Sequence, residues 1–246
     1  MHGKMLAQYE SRKGYAGLSI GTSIPMDVFS STDNYEESGY AKTGVAFNLN
    51  FAYRLATNFG LTAMMFVQVN PFDDEGLHNN LKGAASLGTI PVNIVSVNGG
   101  SWGQSGFMVG GFGSIPIGTS GKFIFEPRAM VALITAISPK VEIQIKSGNR
   151  IFTEEQQAGA GAAIGLSFGG GFRFNLSDRI ALLLNGDYVE SNPKFYDVEY
   201  WHSDGSISYL SFQQKMQAVN VTLGLAFRFK KDNPPQRKSF KGKTDK

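Results

Sequence analysis

The chain has 246 residues, of which 42% are hydrophobic and 17% charged, a length sufficient for one all-β domain. It contains no cysteine, which excludes disulfides and thiolate metal sites. The net charge of +3 is the sum of +5 on the basic segment Lys230–Lys246 and −2 on the rest of the chain. The body of the protein therefore gives no reason to expect binding of nucleic acid.

Eight segments along the chain alternate apolar residues with small or polar ones. A β-strand turns successive side chains to opposite faces, so each segment predicts a strand with one apolar face. The fourth prediction is the weakest, because its glycines obscure which face is apolar. In chain order the predicted strands are Tyr15–Ile24, Gly44–Leu55, Leu61–Asn70, Gly103–Ile115, Phe123–Ile137, Ala162–Phe174, Ile180–Val189 and Ala218–Phe229.

The second predicted strand shows the pattern most clearly. Val45, Phe47 and Leu49 share one face with further apolar residues, whereas Asn48 and Asn50 lie on the other. No charged residue falls on the apolar face of any predicted strand, where it would cost ~2–4 kcal/mol at the middle of a bilayer. This pattern favours a barrel with lipid outside and a polar interior. Pro127 lacks an N–H for the sheet, and we expect a bulge to accommodate it.

The connections between the predicted strands alternate between short and long. The short ones are Ala56–Gly60, Pro116–Lys122 and Asn175–Arg179, and the long ones are Pro25–Thr43, Pro71–Trp102, Ser138–Gly161 and Glu190–Gln217. Outer-membrane barrels have short periplasmic turns and long extracellular loops. Strand-like runs within the long connections, such as Val141–Ile145 and Ser206–Phe212, are expected to extend the barrel above the membrane.

Aromatic residues cluster at the strand ends beside the short connections. Such clustering is typical of the aromatic girdle at a membrane interface. The predicted periplasmic girdle consists of Phe51, Tyr53, Phe123, Phe125, Phe172, Phe174, Phe227 and Phe229.

With these strands and the final aromatic residue, the chain resembles the small outer-membrane barrels of the OmpA/OmpW-like superfamily, and its strands are similar to those of barrels from Bacteroidota. The last strand, Val219–Phe229, resembles the terminal strand that the barrel-assembly machinery reads. The expected fold is all-β: an eight-stranded antiparallel transmembrane up-and-down β-barrel with long extracellular loops and short periplasmic turns. The expected divisions are an N-terminal periplasmic segment (1–13), the barrel (14–229) and a basic flexible periplasmic tail (230–246).

Charged and amide residues fall on the inward faces of the predicted strands. An eight-stranded barrel is narrow enough for side chains to fill. Buried charges require partners, so a sealed network is favoured over a charged gate in a pore. The predicted polar network of the lumen is Arg54, Glu126, Arg128, Arg173, Asn185, Asp187 and Arg228.

Few residues outside the lumen suggest chemistry. Tyr200–Asp204 holds a His, a Ser and an Asp, but neighbouring residues on one loop point in different directions, so a polar loop is favoured over a hydrolase site. The acidic runs Asp33–Glu37 and Asp73–Glu75 could bind a divalent cation, although solvation is the simpler interpretation. The basic tail is either a disordered leash or a docking segment for an acidic partner, with Lys230, Lys231, Arg237, Lys238 and Lys241 as its contacts.

We therefore expect a non-enzymatic protein of the Gram-negative outer membrane, with both termini in the periplasm, no cofactor and no bound metal. Its expected role is structural, or that of an accessory subunit of an envelope complex. Its expected partners are outer-membrane lipid, lipopolysaccharide and envelope proteins that bind the long loops and the tail. The alternatives are a narrow channel for small or hydrophobic solutes, a lipid hydrolase that depends on His202, and a soluble barrel of the lipocalin kind, which would need a polar exterior.

Overall fold

The computed structural model describes residues 12–33, 38–86, 93–118 and 121–231. In these ranges it contains fourteen strands, a short 3₁₀ helix at Asp27–Phe29 and one α-helix, α1 (Asp74–Ser86). None of the described helices is long and apolar enough to cross a membrane. The strands are β1 (Arg12–Pro25), β2 (Gly44–Arg54), β3 (Phe59–Pro71), β4 (Asn93–Gly99), β5 (Ser101–Gly113), β6 (Ile115–Ile117), β7 (Phe123–Ile137), β8 (Val141–Ser147), β9 (Arg150–Gln156), β10 (Ala160–Asn175), β11 (Ile180–Ser191), β12 (Lys194–Trp201), β13 (Ile207–Gln213) and β14 (Met216–Lys231).

Eight of these strands close a barrel in the order β1-β2-β3-β5-β7-β10-β11-β14, with β14 pairing back onto β1. Each pairing in this ring is antiparallel, and each strand pairs with the barrel strand before it in the sequence. The eight-stranded up-and-down barrel predicted from the sequence is confirmed. Its short turns lie at the same end as the start of β1 and the end of β14, which we call the terminal end.

Exposure separates the two faces of the barrel wall as the alternation predicted. Leu166 and Leu223 are 48% and 53% exposed on the outside, whereas Asn48 and Asn220 are 1% and 2% exposed on the inside. A water-soluble barrel would have the reverse arrangement. The exterior is therefore apolar over a long band of every wall strand, as a transmembrane barrel requires.

The fourth predicted strand differs from the observed one. β5 ends at Gly113, and the short strand β6 then continues along β7 in an unchanged register, so no residue is inserted. The interruption lies opposite Pro127, which has no N–H to donate. The backbone N–H of Ser114 instead donates to the carbonyl oxygen of Asn58 at 2.9 Å. A break in the ladder, and not the expected bulge, accommodates the proline.

The long connections form a second structural layer at the end opposite the termini, which we call the cap. It contains a sheet in the order β4-β8-β9-β12-β13, and α1 belongs to the same layer. The strand-like runs expected to lengthen the barrel are β8 and β13 of this sheet. Among the described strands, the pairing of β12 with β10, at Phe195 and Gly161, joins the sheet to the barrel wall. α1 is a helix that the alternating sequence pattern did not predict.

The observed wall is slightly longer than the predicted barrel. β1 begins at Arg12 and β14 ends at Lys231, so Lys230 and Lys231 belong to the last strand and not to the tail. The other predicted docking residues of the tail, Arg237, Lys238 and Lys241, lie outside the described residues.

Candidate functional site in the lumen and the cap

A charged cluster fills the lumen at its terminal end. Glu126 on β7 accepts hydrogen bonds from Tyr15 Oη at 2.8 Å and from Arg173 Nε at 3.0 Å. The guanidinium of Arg173 also lies over the ring of Tyr15, 5.3 Å from its centroid, and donates to Asn175 at 3.0 Å. All three members of the Tyr15–Glu126–Arg173 group are buried. Since a buried carboxylate is costly without donors, this group forms a satisfied ionic network.

A second ion pair, between Arg128 on β7 and Asp187 on β11, lies along the inner wall and passes over Gly169 of β10, which is paired with both residues. Arg128 Nε and Nη2 donate to the two carboxylate oxygens at 2.7 and 2.5 Å. The two side chains are 4% and 1% exposed. Gly169 makes room for the pair, because a Cβ at this position would lie 2.5 Å from the carboxylate of Asp187. This fork-like pairing is the strongest geometry available to an arginine and a carboxylate.

The remaining residues of the predicted network also lie on the inner face. Arg54 is buried at the end of β2 and lines the same small cavity as Glu126 and Arg173. Arg228 is buried and donates to the carbonyl oxygen of Ser177 at 3.2 Å, so it closes the turn before β11. Asn185 donates to Thr222 at 3.5 Å. The predicted network is therefore divided into two ionic groups, one around Glu126 and one around Asp187, with further polar contacts beside them.

Sequence reasoning missed two features of the lumen. Tyr15 occupies one of the alternate positions of β1 whose side chains face the lumen, but its role as a hydrogen-bond donor to Glu126 was not predicted. One side of the lumen is also apolar, which contradicts the expectation of a polar interior. Its buried cluster comprises Met64, Phe66, Met108, Met130, Ala132, Ile134 and Val189. The alternation placed several of these residues inward, but only polar residues were considered as the filling.

Amide side chains close the lumen on the cap side of this apolar cluster. Asn220 donates to Gln68 at 2.8 Å, and Gln68 donates to Gln104 at 2.7 Å. Gln104 in turn donates to Ser191 at 3.2 Å. The chain of amides links β14, β3, β5 and β11 across the barrel. By contrast, the buried amide of Asn48 has no hydrogen-bond partner among the described residues.

The predicted girdle residues lie on the outer face at the terminal end. The rings of Phe125 and Phe172 are 5.2 Å apart, and Phe123 lies 5.8 and 5.9 Å from Phe172 and Phe174. On the other side of the barrel, Phe51 and Phe227 both flank Ala16 in the sheet. Tyr53 and Phe229 flank Gly14 in the same way.

The cap has its own apolar core and a cavity of about 570 Å³ beside it. Phe29, Trp102 and Phe195 are buried at the centre of this core, with ring centroids about 6 Å apart (5.8 and 6.0 Å). Tyr40, Trp102 and Ile143 contribute to the cavity wall from one side. Tyr200, Leu210 and Phe212 contribute from the β12–β13 hairpin. The volume is in the range of ordinary small-molecule sites.

Three polar side chains of the cap form a linear group. His202 Nε2 lies 3.0 Å from Ser208 Oγ, and His202 Nδ1 lies 2.9 Å from Glu154 Oε2. Ser203 and Asp204, which the sequence analysis considered as partners of His202, are not part of this group. Asp204 instead accepts hydrogen bonds from the backbone N–H and the hydroxyl of Ser206 at 2.8 and 2.6 Å. Nothing in the sequence could have indicated Glu154, which is 48 residues from His202.

The acidic run Asp73–Glu75 has a structural role. Asp73 precedes α1 and accepts a hydrogen bond from the backbone N–H of Gly76 at 3.2 Å, while Lys42 Nζ lies 2.9 Å from its carboxylate. Burial favours a higher pKa for Asp73, but the hydrogen bonds from Lys42 and Gly76 outweigh it and lower the pKa below its ordinary value. Most of the other run, Asp33–Glu37, lies outside the described residues. In the part of the chain that the structure describes, no group of three His, Asp or Glu side chains could hold a metal ion.

Comparisons with known proteins agree with this fold. No protein-family model matches the chain, and no curated protein matches it. A major outer membrane protein from Thermus thermophilus is similar in structure, with a TM-score of 0.51, 13% identity and coverage of 88% of this chain and 98% of that one. OprG from Pseudomonas aeruginosa matches with a TM-score of 0.45, 13% identity and coverage of 89% and 97%. Ail of Yersinia pestis matches with a TM-score of 0.41, 14% identity and coverage of 88% and 99%. The match to the Thermus thermophilus protein, together with the closed ring of eight antiparallel strands, gives the chain the fold of an outer-membrane β-barrel.

Proposed function

We propose that this outer-membrane β-barrel protein is a sealed, non-conducting barrel that serves a larger envelope complex as a structural or accessory subunit. The observation that carries the proposal is the filling of the lumen. A charged cluster, an apolar cluster and a chain of amides follow one another from the terminal end to the cap. The cavity beside Tyr15 and Glu126 measures about 10 Å³, roughly the room needed by one water molecule.

The proposal includes an orientation in the Gram-negative outer membrane. Short turns and both ends of the described chain lie together, and the folded cap lies at the other end. In outer-membrane barrels the short turns face the periplasm and the longer connections face outward. We therefore place the termini in the periplasm and the cap outside the cell. The cap would then meet lipopolysaccharide and external partners, and the basic tail would meet periplasmic partners of opposite charge.

Planar bilayers provide the test of the sealed lumen. The purified protein is expected to show no stable single-channel openings. The triple variant Arg173→Ala, Met108→Ala and Gln104→Ala removes one filling side chain from each of the three groups and should produce openings, which would show that the assay detects a cleared lumen. Stable openings of the wild-type protein that change when Arg54 or Arg173 is replaced by Ala would instead support the alternative of a narrow channel.

The accessory role has a separate test. Purification from native membranes in mild detergent is expected to recover at least one protein that co-migrates with this chain. A variant with Arg237→Gln, Lys238→Gln and Lys241→Gln keeps the barrel but removes charge from the tail, and it should lose a periplasmic partner held by charge. Recovery of the barrel alone, in both forms, would contradict the accessory role without affecting the sealed lumen.

A further inference from the structure

The cap holds a set of side chains that the sealed-barrel proposal does not use. Ser208, His202 and Glu154 are connected in the order of a nucleophile, a base and a carboxylate that orients the base. Both separations, 3.0 and 2.9 Å, are within hydrogen-bond reach. The side chains of His202 and Glu154 are 36% and 20% exposed, so a substrate can approach the base.

The fold positions each member of this group from a different segment. Ser208 lies on β13, His202 follows the end of β12, and Glu154 lies on β9. Tyr200 pairs with both Ser208 and Gln156 in the sheet, which aligns the three strands. The backbone N–H of Ser203 donates to the second oxygen of Glu154 at 3.4 Å, so the carboxylate is held from two sides.

The group lies on the same face of the sheet as the wall of the 570 Å³ cavity. The cavity-lining residues Gln156, Tyr200 and Leu210 are each two positions along the chain from Glu154, His202 and Ser208, respectively. Side chains two positions apart in a strand point to the same side. The rings of Tyr200 and His202 are also 4.9 Å apart, so the imidazole lies beside a residue that lines the cavity.

We propose that Ser208, His202 and Glu154 form an esterase site whose substrate is an ester of an apolar carboxylic acid, with the acyl group bound in the cap cavity. Much of that cavity is apolar, with Trp102, Ile143, Leu210 and Phe212 among its lining residues. An acyl chain can therefore be buried there while its ester group reaches Ser208. This activity goes beyond the sealed-barrel function and departs from the expectation that the protein is not an enzyme.

The chemistry balances with water as the only co-reactant. Ser208 Oγ attacks the ester carbonyl carbon, and its proton passes to His202 Nε2. The ester C–O bond then breaks, and the leaving alkoxide takes that proton, so an alcohol is released and an acyl-serine remains. Water, deprotonated by His202 Nε2, attacks the carbonyl carbon of the acyl-serine. The bond from that carbon to Ser208 Oγ then breaks, His202 returns the proton to Ser208 Oγ, and the carboxylic acid is released. Glu154 accepts a hydrogen bond from His202 Nδ1–H throughout, stays ionised and acts as a positioning residue.

Covalent labelling tests the nucleophile directly. The full-length protein in detergent is treated with a fluorophosphonate probe, which should modify Ser208 and no other serine. Ser208→Ala and His202→Ala should abolish the labelling, whereas Ser147→Ala, on β8 of the same cap sheet and not a lining residue of the cavity, should keep it. Heat-modifiable gel mobility confirms that each variant is folded. A folded wild-type protein that is not labelled, or a Ser208→Ala variant labelled to the same extent, would overturn the proposal.

Turnover of nitrophenyl esters tests the roles of Glu154 and the cavity. Glu154→Gln should lower kcat by about tenfold or more with little change in KM, and Glu154→Asp should restore part of the loss. Leu210→Trp narrows the cavity and should raise KM for a long-chain ester but not for the acetate ester. Equal effects on both esters would refute binding of the acyl group in the cavity.

A third arm distinguishes the source of the ester. If the protein cleaves both the soluble nitrophenyl esters and the phospholipid of vesicles, the substrate is a membrane lipid. Cleavage of the soluble esters alone would assign a diffusible ester. If neither substrate is cleaved, the esterase proposal is wrong. The proposal of a sealed lumen is unaffected, because the bilayer experiment measures a different part of the molecule.

Discussion

Replacing Asp187 by Ala tests whether the lumen is held together by paired charges. The substitution leaves the guanidinium of Arg128, which is 4% exposed, without its carboxylate. Breaking a buried ion pair from one side costs about 3–5 kcal/mol of unfolding free energy. A second route gives a similar figure, because the pair contains two charge-assisted hydrogen bonds of about 1.5–3 kcal/mol each. We therefore expect Asp187→Ala to lower the unfolding free energy by about 4 kcal/mol.

The measurement is urea-induced unfolding in lipid vesicles, followed by heat-modifiable gel mobility. The double variant Arg128→Met and Asp187→Ala removes both charges, and it should be more stable than Asp187→Ala alone by about 2 kcal/mol, a magnitude typical of coupled pairs (about 0.5–3 kcal/mol). If the double variant is as unstable as the single variant, the cost comes from lost volume and not from an unpaired charge. That result would refute the network as the source of lumen stability.

Three further predictions concern crowding, solvation and pH. Gly169→Ala should destabilise the barrel by about 1–3 kcal/mol because its Cβ would meet both the backbone carbonyl oxygen of Gly186 and the carboxylate of Asp187. Gly186→Ala, with open space at its Cβ, should be close to neutral in the same unfolding assay. Asn48→Leu should raise the unfolding free energy by about 1–3 kcal/mol, since it removes a buried amide without a partner among the described residues, and a loss of stability would refute this reasoning. The folded pKa of Asp73 is lowered, so its contribution to the cap is fully present above the ordinary pKa of an aspartate and is lost as the pH falls from there through the lower folded pKa. Asp73→Asn should remove this acid-dependent loss of cap protection, as followed by hydrogen exchange of α1.

The barrel could be predicted from the sequence because one physical contrast repeats along every wall strand. Lipid outside and packed side chains inside impose a period of two, which survives glycines and local irregularities. The departures have local causes. β5 stops at Gly113 because Pro127 cannot donate to it, and the alternation says nothing about where a ladder breaks. α1 was missed because its capping residue, Asp73, was interpreted only as part of an acidic run that is solvated or binds a cation.

The candidate sites were predictable only in part, because side-chain pairing across a barrel depends on distant strands. The alternation placed Glu126 and Arg173 inward, but their contact depends on the register of β7 against β10. The alternation along β3 likewise placed the side chains of Met64 and Phe66 inside the barrel, but it did not indicate that they pack together. In the cap, the partner of His202 comes from β9, a strand that the sequence analysis did not predict. Local sequence therefore gives the face of a residue, and the topology gives its partner.

The apolar face of the chain changes side where the barrel meets the cap. Ile137, at the end of β7, is 51% exposed on the outside, whereas Val141, at the start of β8, is 8% exposed and packs in the cap core. Only Ser138, Pro139 and Lys140 separate the two residues. An outward apolar side chain is stable in lipid, and an inward one is stable where water surrounds the sheet. The reversal marks the level at which the solvent of the protein changes from hydrocarbon to water, so the cap cavity and the group around His202 lie above the bilayer, where a hydrolytic reaction has access to water.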